Sequence, residues 1–233
     1  VPVRIVGLGA TPAGTVIDGA DARRIASVTA AGASLENLTL TRARDLASGT
    51  AVGFAIEMSA GLVSNCVISA GTAMGNNRKE EYVRMTGGLL VDSEVSGLKK
   101  GFGVNQNDVS SRACVLTGTA VMRGCTVSGN TTVGLNQDAA VTATGADVLV
   151  ENCRITDNIH PYRALTHGAA GAAVLSGAIL RGCEISGNVY QDIGANDGTR
   201  RAAGVYCEGG VIERCVITNN TARNEIQASG VYL

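Results

Sequence analysis

The chain has no tryptophan, two phenylalanines, five tyrosines, three prolines and two histidines among its 233 residues. So few rings make an aromatic platform for a sugar hard to build, because such platforms work by burying large apolar ring faces. No apolar run approaches the roughly 18 to 20 residues of a spanning helix, and no basic start followed by an apolar core opens the chain. Membrane insertion of this segment is therefore not expected. An excess of charge is missing too: 19 Lys and Arg against 20 Asp and Glu leave a formal net charge of -1. No field of either sign recruits nucleic acid or an anionic membrane. What abounds is glycine, 31 residues, together with Ala and Val, the composition of short strands and tight turns rather than amphipathic helices.

Within that composition an aliphatic residue followed by Ser or Thr recurs seven times, at Leu40-Thr41, Ile68-Ser69, Val95-Ser96, Val127-Ser128, Ile155-Thr156, Ile185-Ser186 and Ile217-Thr218. Two residues before each aliphatic stand Leu38, Cys66, Ser93, Cys125, Cys153, Cys183 and Cys215, so five of the seven cysteines share one register. Steps of 28, 27, 32, 28, 30 and 32 residues mark stacked units that each bury a face against the next. In the last unit, residues 205–207, 211–213 and 215–218 form three pieces with apolar residues at period two, the signature of strands with one buried face. Between the second and third pieces the phase slips by one residue, at Asn37, Asn65, Asp92, Gly124, Asn152, Gly182 and Arg214. All but Arg214 tolerate a left-handed backbone or cap a turn, so the chain bends there without a loop.

Three bent strands per turn, repeated in register, pair in parallel with the turns above and below. The expected fold is all-β, a parallel β-helix solenoid of about seven coils with three short strands each. A leucine-rich repeat does not fit, since the units carry Val, Ile and Ala where that frame needs leucines. Residues 1–233 read as a single domain. The chain opens on Val1 and closes on Gly230-Val231-Tyr232-Leu233, which restarts the pattern of Gly204-Val205-Tyr206-Cys207, so a fragment of a longer protein is expected.

The units Cys125-Thr126-Val127-Ser128-Gly129-Asn130, Cys153-Arg154-Ile155-Thr156-Asp157-Asn158, Cys183-Glu184-Ile185-Ser186-Gly187-Asn188 and Cys215-Val216-Ile217-Thr218-Asn219-Asn220 carry a resemblance. They resemble the repeats of right-handed, single-stranded parallel β-helix proteins of the pectate-lyase-like superfamily. Val16-Ile17-Asp18-Gly19 and Leu35-Glu36-Asn37-Leu38-Thr39-Leu40-Thr41 are similar to the first coils of that group in large bacterial secreted and surface proteins. The resemblance spans roughly residues 3 to 233. It implies a right-handed solenoid and an extracellular or cell-surface location, but no particular activity, because the superfamily holds lyases, hydrolases and adhesins.

The cysteines invite disulfide and metal readings, and both fail on geometry. In-register residues on parallel strands run their Cβ vectors side by side, which gives poor disulfide torsions. There is no C-x-x-C pair, and a one-dimensional row of thiols offers no tetrahedral site. They read as small buried hydrophobes, as do Cys114 and Cys207, and no metal or cofactor is expected. Asn130, Asn158, Asn188 and Asn220 read as a side-chain ladder that satisfies turn backbone. On the first strand piece the outward series is Glu57, Arg84, a residue near Leu116, Thr142, Val174 and Tyr206. On the third it is Thr39, Val67, Glu94, Thr126, Arg154, Glu184 and Val216. Glu57 with Arg84 and Arg154 with Glu184 read as cross-strand ion pairs. No two carboxylates stack so as to hold calcium or divide acid and base duty.

Function, where it exists, is expected in the insertions after the third piece. These are Asn76-Asn77-Arg78-Lys79-Glu80-Glu81-Tyr82, the stretch from Asp157 through His160 to Arg163 with His167, and the stretch from Tyr190 to Asp197, Arg200 and Arg201. A lyase needs a base beside a uronate carboxylate and a cation to neutralise it. His160 or Tyr162 is the candidate base and Arg163 or Arg200 the candidate neutraliser, with His167 in the same loop. Thr166-His167-Gly168 is the one echo of the Gly-His-Gly found in polygalacturonases. The plainer reading is solvated loops on a non-catalytic structural or adhesive module of a secreted or cell-surface protein, and that is the leading expectation. A polysaccharide lyase or glycoside hydrolase acting on acidic polysaccharide is the alternative. A self-assembling fibre subunit is the third reading, associating end to end or laterally through unpaired strand edges. The partners foreseen are a polysaccharide or another protein chain.

Overall fold

The computed structural model of the chain describes residues 2–44, 53–73, 79–100, 110–132, 139–161, 168–191, 201–223 and 228–233. Each repeat contributes one short strand to each of three sheets, and every pairing within them is parallel. Following the order of the pieces, the first sheet runs from Ala26–Val28 to Val231–Tyr232, the second from Arg4–Val6 to Val211–Glu213 and the third from Val16–Asp18 to Val216–Thr218. The coils form a right-handed parallel β-solenoid. Eight strands stand in each sheet, close to the seven coils expected. The additional rung of the third sheet is Val16–Asp18, which pairs with Thr39–Thr41 and carries Asp18 where later rungs carry a hydroxyl.

Most strands of the second and third sheets are three residues long because each needs only one inward side chain. Leu40, Ile68, Val95, Val127, Ile155 and Ile185 of the third sheet are fully buried. Val63, Leu90, Met122, Val150 and Leu180 of the second join them in one continuous core. The bends lie where the phase slips. Asn37, Asn65, Asp92, Gly124, Asn152, Gly182 and Arg214 all have φ between 46° and 64°. Arg214 has neither a short polar side chain nor glycine's freedom, yet adopts φ 54° at a cost of about 1–2 kcal/mol. The coil geometry dictates this conformation, and residue type only sets how cheaply it is reached.

Two expectations are corrected on the first sheet. Its outward series in register is Glu57, Arg84, Val115, Thr142, Ala173 and Tyr206. The residue near Leu116 is thus Val115, and Val174 faces the central core while Ala173 lies on the opposite face, buried in a second cluster with Leu175 and Tyr206. The strand Ala172–Leu175 is buried at all four positions, so no polar residue marks its phase. Glu57 and Arg84 are neighbours in register but not ion-pair partners: Glu57 bonds Arg24, while Arg84 reaches Glu81 at 3.2 Å. On the third sheet the expected series holds throughout, and Arg154 meets Glu184 at 3.1 Å.

Lys79 to Tyr82, expected in a loop, belong to the seven-residue strand Lys79–Met85, which pairs with Ser110–Leu116. Their charges misled: Glu81 is buried, but Arg84 and, at 3.8 Å, Arg112 of the adjacent strand neutralise it. Similar extensions occur along the corner between the third and first sheets. Thr72–Ala73 pairs with Lys99–Lys100, and Ile159–His160, Val189–Tyr190 and Thr221–Ala222 form a ladder leaving the third sheet. Gly168–Ala169 and Arg201–Ala202 form another entering the first.

Candidate functional site at the corner that carries the insertions

The segments 45–52, 74–78, 101–109, 133–138, 162–167, 192–200 and 224–227 each connect the third sheet of one coil to the first sheet of the next, so the flanking residues gather at one corner of the solenoid. Tyr162, Arg163, His167 and Arg200 lie outside the described residues, as do Asn76, Asn77, Arg78, Asp192 and Asp197. His160 is described, and it is not at the surface. It is 0 % exposed, in register with Tyr190, and its ring stacks on that of Tyr190 with centroids 4.6 Å apart and planes 5° from parallel. In the pair Ile159–His160 it is Ile159 that points to solvent. Tyr190 in turn packs against Ala170, Ala203 and Ala222. Ala170 and Ala203 on the returning segments make room for the ring, and Ala222 is the next rung of the ladder that carries it.

The asparagine ladder lies beside this neck. Asn158 donates from Nδ2 to Val127 O at 3.0 Å and to Asn188 Oδ1 at 3.0 Å, and its own Oδ1 accepts from Asn130 N at 3.1 Å and Asn130 Nδ2 at 3.0 Å. Asn188 repeats the pattern toward Asn220 at 2.9 Å, and Leu98 N donates to Asn130 Oδ1 at 3.0 Å to close the row. Gly171 and Gly204 sit against it: a Cβ on Gly171 would lie 2.5 Å from Gly204 O and 3.2 Å from Asn188 Nδ2. Only glycine fits where coil and ladder approach so closely.

All seven cysteines are free thiols. In the register row each Sγ donates to the carbonyl two residues back, from Cys66 to Ser64 O at 3.2 Å through Cys215 to Glu213 O at 3.4 Å. Ser93 takes the same place, donating to Val91 O at 2.7 Å and accepting from Cys66 N at 3.1 Å. Burial pushes the Cys66 and Cys114 thiols up, the opposite of an activated nucleophile. Among the described residues no group of three His, Cys, Asp or Glu is placed to hold a metal ion.

Two arrangements emerge only from the stacking of coils. The ladder position of Asn130 is held in earlier coils by Ala43, Gly71 and Leu98. The Tyr82 ring fills the space beside Gly71, 5.0 Å from Phe54. Outside it opens a groove of about 490 Å³ lined by Asp21, Arg42, Ser69, Ala70, Gly71, Thr72, Gly97 and Lys99. Arg42 donates from Nε to Asp18 at 2.9 and 3.1 Å and lies 3.8 Å from Asp21; the Arg42 hydrogen bonds hold the Asp18 carboxyl below its usual range. Hydroxyls and balanced charges suit hydrogen bonding to a polar ligand, but neither histidine nor cysteine lines the groove. The signal was Ala43 and Gly71, small residues where later coils carry asparagine. The second arrangement is an ion ladder on the second sheet: Arg123 to Glu151 at 2.9 Å, Glu151 to Arg181 at 3.6 Å, and Arg181 to Glu213.

No curated protein matches this chain. Among solved structures, the catalytic domain of a GH87 alpha-1,3-glucanase variant in complex with tetrasaccharides is similar at 11% identity and a TM-score of 0.26, over 99% of this chain and 61% of that one. The chain thus spans less than two thirds of that domain. The family described as a right-handed beta helix region matches residues 82–233, most of the sequence and at least five of the eight rungs of each sheet. This match, together with the parallel coils, the left-handed bends and the stacked ladders, places the protein in the right-handed beta helix family.

Proposed function

We propose that this chain is a non-catalytic structural or adhesive module of a secreted or cell-surface protein, and that its insertion-bearing corner meets a polysaccharide or another protein chain. The observation that supports it most directly is the burial of His160. The one described candidate for a lyase base is stacked on Tyr190 and serves packing, and a base must reach the proton it removes. The three continuous sheets support the same reading, since they make a rod that carries its insertions at successive coils. The groove beside Arg42 and Lys99 adds a polar surface near that corner.

A polysaccharide lyase or glycoside hydrolase is the competing reading, and it draws its base from segments 162–167 or 192–200. Incubation with a panel of uronate and neutral polysaccharides distinguishes the two. We expect co-sedimentation with one or more polymers, or none, without unsaturated or reducing-end product. Product formation that Tyr162→Phe or His167→Ala abolishes, with the fold intact, overturns the proposal.

A further inference from the structure

The described residues that flank the insertions gather at one corner, away from the outer face of the second sheet. On that face Leu62, Leu89, Val121, Leu149, Ile179 and Val211 stand in one register, one per coil. Five are half-buried and Val211 is 47% exposed. None belongs to the three buried clusters or packs against them, so the row points outward. Five steps of ~4.8 Å make an aliphatic stripe about 24 Å long. Contiguous apolar patches of this kind on a soluble surface mark interaction sites. Beside the stripe runs the ion ladder of Arg123, Glu151, Arg181 and Glu213, whose sign alternates from coil to coil.

We infer that this face pairs with the same face of a second copy, the two solenoids running antiparallel. An alternating row is complementary to its own reversal, whereas a row of one sign would repel it. A twofold axis parallel to the strands, between the coils of Val121 and Leu149, lays stripe on stripe. It sets Val121 against Leu149 of the second copy, Leu89 against Ile179 and Leu62 against Val211. The same axis brings Arg123 of each copy to Glu151 of the other and joins two intramolecular pairs into a four-charge network. Six coils, each offering a strand and its flanking turn about 17 Å wide, bury about 500 Å² per copy. The total of about 1,000 Å² is at the lower limit for a specific interface, so the dimer is weak and concentration-dependent. This pairing is independent of whether the insertion corner binds or cleaves anything.

Sedimentation velocity over a concentration series tests it, with thermal unfolding confirming that each variant is folded. The chain is expected to pass from monomer to dimer in the micromolar range, and Leu149→Glu to weaken association at least tenfold. Arg123→Glu and Glu151→Arg, each alone, place like charges across the axis and lose the dimer. An equimolar mixture of these two variants is complementary and recovers a mixed dimer. A monomer at all concentrations overturns the inference, as does a dimer indifferent to Leu149→Glu or singly reversed variants that stay monomeric when mixed.

Discussion

Asn158 shows how much a single residue carries in a stacked fold. Its side chain makes two donated and two accepted hydrogen bonds while wholly buried. Asn158→Ala leaves polar groups of both flanking coils unpaired, and each such orphan costs about 1–3 kcal/mol. A loss of about 2–4 kcal/mol in urea denaturation is expected, against little change for a substitution at exposed Arg154. The thiols are different. Ser93 already makes both bonds of the cysteine register, so Cys153→Ser is expected to cost less than about 1 kcal/mol. With the native protein a disulfide reagent should label Cys215 first, the one cysteine that is not fully buried, and the rest only on unfolding. Rapid labelling of Cys114 would contradict its burial.

At the scale of the element, the N-terminal rung depends on charge. Arg4 donates to both oxygens of Glu36 at 2.8 Å, and Ser34 Oγ donates to Oε1 at 2.7 Å. These bonds, the Arg4 ones foremost, lower the Glu36 carboxyl from 4.5 to about 2. A depressed carboxyl stabilises the folded state above its unfolded value and loses that contribution as pH falls through the folded one. Between about pH 4.5 and 2 the strand Arg4–Val6 should therefore loosen before the central coils. Earlier hydrogen exchange at Ile5 than at Leu90 in that window checks this; uniform exchange refutes it. The neck was hardly legible in the sequence. His160 and Tyr190 sit in stretches that read as polar loops, and only the pairing of successive coils reveals that the two rings share a register. The bends were legible, because a one-residue phase slip at a residue type tolerant of positive φ is a purely local property. The strand Ala172–Leu175 was not, since four buried positions leave no alternation to read.

Across the whole molecule the faces differ in kind. The third sheet exposes a mixed polar row, the residues flanking the insertions gather at the corner beside it, and the second sheet shows an aliphatic stripe with an alternating ion ladder. Because each coil contacts mainly its neighbours, stability is close to a sum of coil and interface contributions. Asn158→Ala is accordingly expected to split a single urea transition into two by loosening the middle of the rod, which circular dichroism and cysteine labelling at Cys66 and Cys183 would report separately. One shared transition would show that the coils unfold as a unit.

The sequence by itself determined the solenoid, the register of Leu40, Ile68, Val95, Val127, Ile155, Ile185 and Ile217, the left-handed bends, and the cysteine and asparagine ladders. Each is a short-range pattern, and stacking copies of one pattern leaves it little alternative. Tertiary structure alone decided which charges pair, where His160 goes, and that a groove opens beside Gly71 while a bare aliphatic stripe lines the second sheet. Apart from the Glu81–Arg84 pair within one strand, those features arise between residues about thirty positions apart, brought side by side only when one coil is laid on the next.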